Sequence, residues 1–91
     1  MGRSARWKPK HLSKKLLQIR TSLGLSQNEM IRKLGLTDTL YRTNISSYEV
    51  DGREPPLPVL LRYARVAGIT IDDLVDDEMD LPETLPKLAR W

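Results

Sequence analysis

From Leu12 onward, apolar residues recur along the 91-residue chain with helical spacing. Leu12, Leu16, Ile19 and Leu23 follow at steps of four, three and four, one stripe of a first helix, with Lys14, Lys15 and Gln18 facing elsewhere. Gly24 ends that helix in a left-handed position. "SQNE" opens a second helix, in which Ser26 caps the amide three residues on and Glu29 reaches back to the Ser26 amide. Met30, Ile31 and Leu34 form its buried side, and Gly35 stops it. Tyr41, Ile45 and Tyr48, at i, i+4 and i+7, predict one face of a third helix, with Arg42, Thr43, Asn44, Ser46 and Ser47 around the rest.

"DGREPP", residues 51–56, reads as a loop from its glycine and paired prolines. "LPVLLRYARVAG" predicts a fourth helix with Leu57, Leu60, Leu61 and Ala64 inward, ended by Gly68. Thr70 caps a fifth, with Asp72 and Asp73 in the first turn, where the helix dipole favours negative charge, and Leu74 and Val75 to bury. The class is therefore all-α, and the length allows one small core with tails. Residues 1–10 are expected to form a flexible basic arm holding Arg3, Arg6, Lys8 and Lys10, residues 11–77 the helical domain, and residues 78–91 a tail that is acidic and then carries leucines and a tryptophan.

Composition narrows the chemistry. Three tyrosines, two tryptophans and no phenylalanine leave the core to aliphatic side chains. Without cysteine there is no disulfide framework and no thiolate for zinc, and no apolar run approaches the roughly 20 residues that cross a bilayer. "MGRSARW" lacks the apolar stretch of a secretory signal, and Arg6 stands where a myristoylation motif requires Ser or Thr, so a cytoplasmic setting is expected. Net charge is only +3, but residues 1–65 hold 13 Lys/Arg against 5 Asp/Glu, whereas residues 66–91 hold 2 against 7. A basic body with an acidic tail points to a polyanionic partner. The single histidine, His11, has no cysteine partner and reads as a surface residue. "DDLVDDEMD" lacks the central glycine of a calcium loop, and no phosphate-cradling glycine loop is present. No enzymatic activity, metal or cofactor is expected.

Two short helices separated by a glycine-containing turn fit a helix-turn-helix. The outer face of the third helix is short and polar, which suits a helix entering a DNA groove and equally a solvated surface helix of weak propensity. "LQIRTSLGLSQNEMIRKLGLT" followed by "ISSYEVDGREPPLPVLLRYARVAGITIDDLV" resembles the Cro and lambda-repressor-like helix-turn-helix family of bacterial and phage regulators, also called the xenobiotic-response-element family. The resemblance covers about residues 12 to 77, and its specificity lies in the order of Arg20, "LSQ", "LG", "ISSYE", a Gly-Arg-x-Pro loop and "GITIDDL". It implies a compact five-helix DNA-binding domain whose third helix lies in the major groove, in a transcriptional regulator, a repressor by expectation, that is nucleoid-associated when bound. It assigns Gln27 and Arg53 to DNA phosphates and makes Arg20 and Glu49 a structural ion pair. Counted from Ile45, Arg42, Thr43 and Ser47 match the positions that reach bases in the resembled family; Arg42 is the first candidate for base readout, and Thr43, Asn44, Ser46 and Ser47 are weaker ones. Arg6, Lys8 and Lys10 would follow the backbone or enter the minor groove.

One departure stands out. In the resembled family a small polar cap two residues after the glycine precedes the isoleucine by four, but Thr37 precedes Ile45 by eight, so four residues are extra. Either Thr37 caps a longer helix running through Tyr48, or "TDTLY" forms a wider turn and the helix starts near Tyr41 or Arg42. Repulsion between Asp38 and phosphate favours the turn.

In the tail, Leu81, Leu85, Leu88 and Trp91 are spaced by four, three and three, interrupted by Pro82 and Pro86. They either fold back over the core or mediate a contact through Leu85, Leu88 and Trp91, with a second copy or with a protein partner as in an adaptor or antitoxin. A homodimer on double-stranded DNA is expected, because one domain reads only a few base pairs.

Overall fold

The computed structural model describes residues 9–50, 53–82 and 85; these form five helices, and there is no strand among them. In chain order, α1 spans Leu12–Ser22, α2 Gln27–Leu34, α3 Arg42–Glu49, α4 Leu57–Ala67 and α5 Ile71–Val75. α1 lies against α3, α4 and α5, α2 packs on α3 and α4, and α4 also packs on α5. Leu16, Ile19, Met30, Leu34, Ile45, Tyr63, Val66 and Leu74 are sealed from solvent between them. Each fully buried aliphatic side chain there contributes about 1.5–3 kcal/mol.

The helix ends follow the local chemistry. Ser26 Oγ accepts the Glu29 N–H at 3.1 Å, and Glu29 Oε1 accepts the Ser26 N–H at 2.7 Å. Thr70 and Asp73 form the same reciprocal pair at the start of α5, at 3.1 and 3.0 Å. Gly35 closes α2 with φ of 75°, a left-handed conformation that a side chain resists. Beside it, Arg62 Nη1 of α4 donates to the Leu34 carbonyl at 2.7 Å, so a cationic donor on one helix satisfies the open end of another.

Three expectations from the residue pattern need correction. First, Tyr41 does not join the buried face of the third helix; it is 76% exposed. The four extra residues form the wider turn, with Thr39 and Leu40 amides bonded to the Leu36 carbonyl at 3.0 and 2.9 Å, and Tyr41 is the extended residue before α3. Leu40, buried in the core, explains the choice. On a continuous helix it would sit five residues before Ile45, rotated by about 140°, and would face water.

Second, Lys15 is buried with only 4% exposure, although it was expected to face outward. Its Nζ donates to the carbonyls of Asp73 and Asp76 at 2.8 and 2.9 Å, the unsatisfied acceptors at the end of α5. Asp77 answers from the other direction: its carboxylate accepts the amides of Lys10, at 3.0 and 2.9 Å, and of His11, at 3.1 Å, at the start of α1. The open ends of α1 and α5 thus cap one another.

Third, Leu57 and Leu61 do not face inward. Leu60 and Ala64 do, accompanied by Val59, Tyr63, Val66 and Ala67, while Leu57 is 68% and Leu61 38% exposed. Prolines at positions 55, 56 and 58 set the entry of α4, and the face it buries is centred on Tyr63.

Lys15→Met is expected to lower stability by about 1–3 kcal/mol, since two carbonyls lose a charged donor, and urea unfolding would show a reduced midpoint at unchanged slope. The amides of Lys10 and His11 hold the Asp77 carboxyl below the ordinary aspartate range. Its contribution is therefore complete above the usual value of about 4 and disappears as pH falls through the depressed one. Asp77→Asn should flatten the acid limb of stability against pH; an unchanged limb would exclude this clasp.

Candidate functional site

The α2–turn–α3 unit is positioned by one polar network. Arg20 of α1 donates from Nε and Nη2 to the Glu49 carboxylate at 2.6 and 3.0 Å, and from Nη1 to the Leu25 carbonyl at 2.9 Å. Gln27 Nε2, in the first turn of α2, donates to Glu49 Oε1 at 3.3 Å. The Arg20–Glu49 pair expected from the sequence is thus present. Gln27, expected only as a phosphate contact, is half-buried as a third member and keeps one amide hydrogen for another acceptor. The Glu49 side chain is 4% exposed, and its hydrogen bond holds the Arg20 guanidinium above its ordinary pKa.

Rotation of α3 is set from within by Ile45, Tyr48 and Glu49, all buried. Successive residues advance by about 100°, which points Thr43 and Ser47 most directly away from that buried face. Thr43 is exposed and Ser47 half-buried. Arg42, also exposed, stands nearer α2, where it shares an open groove with Asn28, Arg32 and Thr37. Ser46 is half-buried on the flank. Asn44 also has a local role: its Oδ1 accepts the Tyr41 amide at 2.8 Å, so the side chain helps to start α3.

Asn28 and Arg32 were missed by sequence reasoning. Their signal was present, since they are spaced i and i+4 on α2, away from Met30 and Leu34. Arg53 is exposed in the loop after α3 and borders a small cleft with Pro9 and Tyr48, so the root of the basic arm lies beside that loop. Lys10 is exposed, whereas Arg6 and Lys8 lie outside the described residues. His11 is exposed at the head of α1. In the tail, Leu81 is buried and Leu85 packs partly on the core, so this stretch folds over its own domain; Leu88 and Trp91 lie outside the described residues. No described helix is long and apolar enough to cross a membrane.

Breaking the network should leave a buried charge without its partner. Arg20→Ala, which strands the buried Glu49 carboxylate, is expected to cost about 3–5 kcal/mol, measured by urea unfolding, with Glu49→Ala non-additive in the double variant. Additive losses would mean that the two side chains do not act together.

Residues 16–74, from α1 into α5, match the family model described as Helix-turn-helix. Over 80 residues the chain is 32% identical to a protein of Bacillus subtilis (strain 168) named as an SPbeta prophage-derived HTH-type transcriptional regulator, YonR, with 78% of this chain and 70% of that protein covered.

Proposed function

Because the chain belongs to the Helix-turn-helix family, we propose that it is a DNA-binding transcriptional regulator that lays α3 in the major groove of double-stranded DNA. The observation that carries this reading is the rotation of α3. Its apolar side is locked by Ile45 and Tyr48, and the side left open offers a guanidinium, hydroxyls and no large apolar group. Such groups match the donors and acceptors on base edges.

In this reading Arg42 is the first base contact, its guanidinium pairing with the N7 and O6 edge of guanine, while Thr43 and Ser47 approach adjacent bases from the centre of the face. Ser46 and the free amide nitrogen of Asn44 serve the flanks. Arg53, Lys10 and the remaining amide hydrogen of Gln27 meet phosphates, helped by the amides exposed at the start of α2. The arm, with Arg6 and Lys8, continues along the backbone from its root beside Arg53. The chain acts by binding and not by catalysis, in the cytoplasm, on bacterial or phage DNA, as a homodimer and by blocking transcription.

Selection of bound duplexes from a random pool, followed by titration of the best duplex and a scrambled one at several salt concentrations, tests this reading. A preferred site with a steep salt slope is expected; binding without preference would overturn it. Arg42→Ala should lose about 1–3 kcal/mol of discrimination. Arg53→Ala should weaken both duplexes alike and reduce the salt slope by about one. Equal losses on both duplexes for Arg42→Ala would reassign that residue to phosphate.

A further inference from the structure

Among the described residues, Tyr41 is the most exposed of the large hydrophobic side chains. Its backbone is employed in the fold and its ring is not. The amide donates to Asn44 Oδ1 at 2.8 Å and the carbonyl accepts the Asn44 amide at 2.9 Å, so both polar groups of the main chain start α3. The side chain makes no capping hydrogen bond. Tyr41 nevertheless stands four residues before Ile45, where a small polar cap is expected, and directly before Arg42. The wider turn, anchored in the core by Leu40, delivers it there.

The surroundings of the ring carry one sign of charge. Tyr41 lines the open groove with Asn28 and Arg32 of α2, Thr37 of the turn and Arg42 of α3, and no carboxylate is among the lining residues. Asn28, Arg32 and Arg42 are all exposed. Two guanidiniums beside an unused aromatic ring favour a polyanion that also offers apolar surface.

We propose that Tyr41 is a specificity-determining residue whose ring packs against the 5-methyl group of a thymine in the base pair next to the one met by Arg42. This rests on the DNA-reading role proposed above and adds a base contact to it. The thymine methyl is the apolar group on the base edges of the major groove, and an exposed ring gains free energy chiefly by leaving water against such a group. A contact to phosphate would need the hydroxyl alone, and Arg32 and Arg42 already bring stronger, charged donors to the same groove. Spacing fits a neighbouring pair. Consecutive Cα atoms lie about 3.8 Å apart and stacked base pairs about 3.4 Å, so Tyr41 and Arg42 at the start of α3 meet adjacent steps of the duplex.

The test takes the full chain and the best duplex from the random-pool selection, and replaces each thymine singly by deoxyuridine, which removes only the methyl group. For the parent, one replacement should weaken binding about fourfold, the effect of withdrawing one methyl from apolar contact. That thymine should lie next to the position at which Arg42→Ala relaxes the selection. Tyr41→Ala should bind the thymine and uracil duplexes alike, whereas Tyr41→Phe should keep the parental ratio. Because the ratio is read within one variant, any change in the folded fraction cancels. A preferred site at which no thymine methyl matters would overturn the proposal and leave the DNA-reading role standing. So would a thymine preference that survives Tyr41→Ala, or a sensitive thymine away from the Arg42 position. Tyr41→Phe behaving as Tyr41→Ala would move the contact to the hydroxyl and also overturn it. Binding without any site preference would instead end the DNA-reading role, and this contact with it.

Discussion

The Glu49 carboxylate is where three parts of the chain are brought to one point. It takes two donors from Arg20 on α1 and one from Gln27 at the head of α2, while Arg20 also holds the Leu25 carbonyl between those helices. Burial removes the water that would otherwise compete for these groups, so the carboxylate must keep its donors or bear the full penalty of desolvation. That constraint supplies what packing alone does not. Ile45 and Tyr48 hold α3 against the core but tolerate small rotations; a bidentate guanidinium is directional and tolerates few. The outward aim of Thr43 and Ser47 follows from this network as much as from the apolar stripe.

A second clasp governs the opposite end of the domain. Lys15 caps α5 and Asp77 caps the start of α1, each charge satisfying the backbone of the other's segment. This alters the meaning of the charge asymmetry along the chain. The acidic end was read as a contrast to the basic body, but one of its carboxylates is engaged at the surface of the fold, holding the residue from which the chain enters α1. The surplus positive charge left on the body is better placed for a polyanion because the arm's root is held beside Arg53.

What could be read from the residues depended on whether the signal was local. Caps at Ser26 and Thr70, the left-handed Gly24 and the helix ends at Gly35 and Gly68 are local chemistry, and all are as expected. The Arg20–Glu49 pair, 29 residues apart, was legible only through family resemblance, since no spacing rule connects those positions. Lys15 was misread because a charged residue beside an apolar stripe is ordinarily solvated; only the arrival of α5 carbonyls makes its burial favourable. Leu57 and Leu61 were misread because the buried and exposed faces of α4 are both apolar, and periodicity cannot choose between them.

The four extra residues before α3 show how such a domain absorbs change without altering the rotation of that helix. A helix lengthened by one turn would have taken Leu40 into solvent and drawn Tyr41 inward. The turn instead buries Leu40, exposes Thr37, Asp38 and Thr39, and ends in an extended residue whose amide Asn44 receives. The contacts that fix the rotation of α3 come from Ile45, Tyr48 and Glu49, downstream of the extra residues. The insertion therefore acts on the approach to the helix and not on its rotation, and it leaves an exposed aromatic, Tyr41, at the mouth of the groove that Arg42 shares with Asn28 and Arg32. A new side chain stands beside the outward face of α3 while that face keeps its rotation.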